Sequence, residues 1–103
     1  MGLLLSTIKQ SINNTCDGRF HTGDKVQHFK REMVEPGDPK DKYLYRILGF
    51  ATNADTLEDL VIYQAEYFPF QVWVRKEADF CSPVDKVKYP NIEQENKFIV
   101  IPG

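Results

Sequence analysis

The run LVIYQAEY at residues 60–67 limits the possible folds more than any other part of the chain. In an extended backbone successive side chains point to opposite faces, so Val61, Tyr63, Ala65 and Tyr67 share one side. The other side grades from Leu60 and Ile62 to Gln64 and Glu66. One end of the segment therefore requires cover on both faces and the other end on one. Branched and aromatic residues also favour the pleated backbone, and the segment is read as a strand at the centre of a sheet.

Its neighbours extend the sheet. Residues 43–51 (YLYRILGFA) read as a long strand in which Arg46 is the one charge and Gly49 marks a bulge or bend. Residues 25–30 form a shorter strand with Val26 and His28 on one face. After Phe68-Pro69-Phe70 ends the central strand, residues 71–75 (QVWVR) alternate again, with Val72 and Val74 opposite Trp73 and Arg75. Residues 98–101 supply a last strand. The linkers are polar: Glu35-Pro36-Gly37-Asp38-Pro39 breaks any regular element within residues 31–41, and residues 52–59 form a wide hairpin turn. A single helical turn at 76–80 tucks Phe80 inward, and residues 86–97 make a surface excursion.

Ahead of these strands, Leu4, Ile8 and Ile12 recur at four-residue spacing and predict a short amphipathic helix ending near residue 13 or 14. Residues 1–22 are accordingly read as an extension and residues 23–103 as a single β-rich domain. The expected fold is mostly β: a small, five-stranded antiparallel, SH3-like, partly closed barrel with a short N-terminal helix.

Length and composition fit one such core. The 103 residues are 42% hydrophobic and 13% aromatic, and the net charge of −2 argues against a surface dominated by phosphate neutralisation. Lysines and arginines between residues 25 and 42 are interrupted by Glu32, Glu35, Asp38 and Asp41, as on a solvated mixed-charge surface. Residues 1–5 contain three leucines without a basic flank, short of an export signal or a membrane span, so a cytoplasmic, membrane-free setting is expected. Cys16 and Cys81 lack metal-type spacing and are expected as free thiols.

Three blocks in order carry a likeness: His28-Phe29-Lys30, then Thr56-Leu57-Glu58-Asp59-Leu60-Val61-Ile62-Tyr63-Gln64-Ala65 with Tyr67, then Val74-Arg75 with Phe80. Val84-Asp85-Lys86 and Lys88-Tyr89-Pro90 extend it. Together they resemble the small bacterial family catalogued as domain of unknown function 1653 (DUF1653). The chain departs from the family's habit at Lys76, where a proline is common soon after the arginine, and at Glu66, where a leucine is common. The resemblance implies a bacterial, cytoplasmic setting and brings no activity, cofactor or catalytic residue.

Chemistry-bearing motifs are few. No nucleophile elbow, phosphate loop or zinc-protease pattern occurs, and Asp55, Glu58 and Asp59 lack calcium-loop spacing, so no catalytic residue, cofactor or metal is assigned. The candidate binding surface is Trp73, Arg75, Gln64 and His28. If Val72 and Val74 face the core, Trp73 and Arg75 are exposed, and an aromatic ring beside a guanidinium can stack on a peptide proline, a ring or a base. That makes a non-enzymatic module for a peptide or protein partner the leading reading, with nucleic acid ranked below it and a monomer expected. In the structural alternative Trp73 caps the sheet and Arg75 pairs with Glu66 or Glu77. The alternative function is a small enzyme or accessory subunit with His28 as base and Arg75 as anion holder.

Overall fold

The computed structural model describes residues 14–103, so the helix expected within residues 4–12 lies outside the described residues. Five antiparallel strands form the main sheet: β3 (Lys25–His28), β4 (Leu44–Thr52), β5 (Asp59–Ala65), β6 (Val72–Lys76) and β7 (Phe98–Ile101). They lie in the order β6-β5-β4-β3-β7, which puts the run at 59–65 inside the sheet and leaves β6 and β7 as its edges. A separate two-stranded hairpin, β1 (Asn14–Thr15) and β2 (Phe20–His21), lies ahead of it.

The register explains which residues are buried. Tyr45 pairs with Ala65 and Ile47 with Tyr63, then a shift between Ile47 and Gly49 brings Phe50 opposite Val61. The bend expected at Gly49 is therefore a bulge, and Leu48, the extra residue, is exposed. Val61, Tyr63 and Ala65 are all buried, as their alternation requires.

The mostly β, five-stranded antiparallel sheet is as expected, and its two edge strands are not joined by hydrogen bonds. Four strand spacings in a flat sheet would separate the edges by about 19 Å. Yet the Arg75 guanidinium on β6 lies 5.4 Å from the Phe98 ring on β7. The sheet must curl strongly for the two edge strands to approach across its inner face.

The inner face is covered by one turn of helix, α1 (Glu77–Phe80), and by the β1–β2 hairpin. Phe80 enters the core as expected: it stacks on Phe98 at 4.1 Å and meets Phe20 and Tyr63 edge-on at 5.1 and 5.5 Å. Cys16 and Cys81 pin the hairpin to the end of α1 through a disulfide, with Cα atoms 5.7 Å apart. This corrects the free-thiol expectation. A separation of 65 residues says nothing about distance once both segments cap the same sheet face.

The surface excursion expected at residues 86–97 is instead packed, together with the residues just before it. Val84 and Ile92 are buried with Phe29 in a second small core, against which Tyr89 packs. The Glu32 carboxylate accepts the backbone N–H groups of Glu93 and Gln94, both at 2.8 Å, and Gln94 Nε2 donates to the carbonyls of Gln27 and Asn96 at 3.1 and 2.9 Å. Those hydrogen bonds from Glu93 and Gln94 also hold the Glu32 carboxyl below its ordinary pKa. The loop is thereby fixed against a 3-10 helix (Phe29–Met33) that follows β3 directly.

Candidate functional site

Directly opposite residues of an antiparallel pair project to the same side, so the register decides which way β6 faces. Arg75 lies opposite Val61 and Trp73 opposite Tyr63, both core residues. Trp73 and Arg75 therefore project from the inner face, while Val72 and Val74 are on the outer face, 45% and 58% exposed. The condition on which exposure of Trp73 and Arg75 depended, valines facing the core, is not met. Alternation shows only that the two pairs separate, and the register decides which pair faces inward.

The four candidate residues do not form one surface. Gln64 lies on the outer face opposite Val72, and its side chain donates to the Phe70 carbonyl at 3.0 Å. Trp73 is on the inner side but 49% exposed, and it does not line the cleft that holds the other two. His28 and Arg75 do come together. They line a cleft of about 320 Å³ with Lys30, Lys88, Tyr89 and Lys97, and with Asp85 as the one carboxylate in its wall among the described residues.

Arg75 and Lys97 are positioned by one shared carboxylate, and His28 by a backbone contact of its own. Arg75 donates from Nε to the Tyr63 hydroxyl at 3.0 Å and from Nη1 to Asp79 at 2.5 Å. Lys97 reaches the other oxygen of the same carboxylate at 2.6 Å. Asp79 thus bridges two cations, in place of the Glu66 or Glu77 partner expected for Arg75; Glu66 instead takes Arg46 at 3.0 Å. Burial works against the charge of Asp79, but hydrogen bonds from Lys97 and Arg75 outweigh it and hold the carboxyl below its ordinary pKa. Arg75 shows the reverse balance: burial lowers its pKa, while Tyr63 and Asp79 more than restore it.

His28 ends β3 opposite Phe98 and is only 8% exposed. Its ring lies 4.4 Å from that of Phe29 and 4.9 Å from that of Phe98. Burial first, then the charges of Arg75, Lys30 and Lys97, push its pKa down to about 4. At neutral pH the imidazole is therefore uncharged, with one donor and one acceptor nitrogen. Nδ1 accepts the Lys30 backbone N–H at 3.1 Å, which caps the 3-10 helix and assigns the proton to Nε2. No hydrogen-bond partner for Nε2 occurs among the described residues.

The cleft thus combines two anchored cations, Arg75 and Lys97, with an uncharged N–H donor and two lysines, Lys30 and Lys88, that form no ion pair among the described residues. Sequence reading missed Lys88, Tyr89 and Lys97, which lie in a polar stretch with no strand or helix period. A larger depression of about 560 Å³ lies beside the disulfide, but its lining mixes Asp17, Glu58 and Glu77 with Arg19 and Lys76 and does not concentrate one charge. Among the described residues no group of histidine, cysteine or carboxylate side chains could hold a metal ion, and no helix is long and apolar enough to cross a membrane.

Neither a curated protein nor a solved structure matches the chain. The family model described as "Protein of unknown function (DUF1653)" matches residues 24–98, a span that runs from the start of β3 to the start of β7 and includes every residue named in the cleft. The chain belongs to the DUF1653 family.

Proposed function

We propose that this domain is a small binding module and that it recognises an anionic group in the cleft between His28 and Arg75. The observation that carries this reading is the gathering of Lys30, Arg75, Lys88 and Lys97 around one concavity in a chain of net charge −2. Such a local surplus is maintained against the overall charge, and Asp79 and Tyr63 orient Arg75 at the cost of only part of its donor capacity. The arginine retains Nη2, and Lys97 retains two ammonium protons, for an incoming acceptor.

The alternative reading, His28 as a general base, fits the geometry less well. Its one lone pair already accepts the Lys30 N–H, so proton abstraction would require that cap to break. As an Nε2–H donor beside cations, the same ring suits binding. The kinship with small SH3-like barrels and a cytoplasmic setting remain part of the proposal. Cytoplasmic thiols would reduce the Cys16–Cys81 bond, so the reading requires the cleft to keep its shape without it. The Phe80–Phe98 stack and the Asp79 bridge, which involve no sulfur, supply that rigidity.

The test is calorimetric titration of the intact chain with inorganic phosphate and acetate, beside a Lys30→Gln, Lys88→Gln double variant. Saturable binding that the variant weakens by about tenfold or more supports the cleft. Absence of binding by both anions, or equal binding by the variant, would refute it.

A further inference from the structure

We propose that the anion recognised in this cleft is the dianion of a phosphate monoester, an inference that rests on the anion-binding reading above. Four side chains bring positive charge to the site: Lys30, Arg75, Lys88 and Lys97. Two carboxylates offset part of it: Asp79, bonded to Arg75 and Lys97, and Asp85 in the cleft wall. His28 adds a donor without a charge, since its Nδ1 is an acceptor. Two positive charges are left for the ligand to balance. A phosphate monoester at neutral pH carries nearly two negative charges, whereas a phosphodiester or a single carboxylate carries one.

The donor geometry points the same way. A terminal phosphate presents three strong acceptor oxygens, and the cleft has a planar guanidinium, an imidazole N–H and three ammonium groups to meet them. A dicarboxylate also carries two charges, but it divides them between two separated groups, while Arg75 and Lys97 are drawn to a common centre by one carboxylate. The volume of about 320 Å³ leaves room beyond the phosphate for a small organic part against the Tyr89 and Phe29 rings, which meet at 4.8 Å. The organic part can thus belong to a small molecule, with no need for contacts outside the cleft.

The experiment is titration of the intact chain at about pH 7.5, where the monoester has lost its second proton, with phenyl phosphate, dimethyl phosphate and malonate. Phenyl phosphate is expected to bind about tenfold or more tighter than the other two. Equal or tighter binding of dimethyl phosphate or malonate overturns the monoester assignment while leaving anion binding intact; failure of all three removes both. A 5′-phosphorylated tetranucleotide that binds equally well without its terminal phosphate overturns it in favour of a phosphodiester backbone. Lys88→Gln, at an exposed position, should weaken phenyl phosphate by roughly threefold or more with an unchanged melting temperature. An unchanged affinity would contradict the placement of the ligand here.

Discussion

Mild acid should destabilise this protein through His28 before most carboxylates titrate. The perturbation is a fall from pH 7 to 4, compared between the native chain and His28→Gln, whose amide can still accept the Lys30 N–H. In the folded state the His28 pKa is depressed to about 4, while the ordinary value is 6.5. Between those values the unfolded chain binds a proton that the folded chain refuses, so stability is complete above about pH 6.5 and falls as the pH drops toward 4. At about 1.4 kcal/mol per pH unit the full effect is on the order of 3 kcal/mol. That is a large part of the stability of a domain this size. Urea denaturation at half-unit pH steps should show the native chain losing about 2–3 kcal/mol more than the variant across this window. The carboxylates of Glu32, Asp38, Glu58 and Asp79 also have lowered pKa values, but they are present in both proteins and act at lower pH. Parallel stability profiles, or a His28 imidazole titration by NMR centred near 6.5, would refute the reasoning.

Other substitutions probe the packing around the cleft. Phe80→Ala empties a fully buried position between Phe20, Tyr63 and Phe98 and should cost about 3–5 kcal/mol in chemical denaturation. Tyr63→Phe leaves Arg75 Nε without its partner, and a loss of about 1–2 kcal/mol is expected, with the fold unchanged by circular dichroism. Asp79→Asn releases Arg75 and Lys97 from their shared carboxylate; because these groups are partly exposed the stability cost should stay near 1 kcal/mol, while phosphate affinity rises at low salt through the added net charge. Reduction of the disulfide should lower stability by about 2–4 kcal/mol, seen as a reductant-dependent fall in melting temperature, because it frees a chain closure of 65 residues.

The parts of the fold that depend on local pattern could be read from the sequence. The alternation at residues 60–67 located a central strand, Gly49 located the bulge, and Phe80 was identified as the residue carried inward by a single helical turn. What could not be read depends on long-range register. Nothing within QVWVR tells which face meets the core until Arg75 is placed opposite Val61 and Trp73 opposite Tyr63. The same holds for the cysteines, which meet because the hairpin and α1 cover one face of a curled sheet.

Two of the four residues named from the sequence lie in the cleft. His28 and Arg75 were named from residue type, and the curl of the sheet brings them to one cleft. Trp73 and Gln64 were grouped with them by proximity along two strands, but Gln64 takes the outer face and Trp73 stays outside the cleft. Lys88, Tyr89 and Lys97 had no periodic signal, since their segment is held by Glu32 and Gln94 hydrogen bonds and not by a regular element. The one sequence trace was the Lys88-Tyr89-Pro90 block within the family likeness.

Anion binding in the cleft is tested most directly by a 15N–1H correlation spectrum of the intact chain during titration with inorganic phosphate. Saturable shifts are expected at His28, Lys30, Lys88, Tyr89 and Lys97 and at the Arg75 side chain, with the Cys16 and Glu77 region unaffected. Shifts centred on that second depression, or no saturable shifts anywhere, would contradict it.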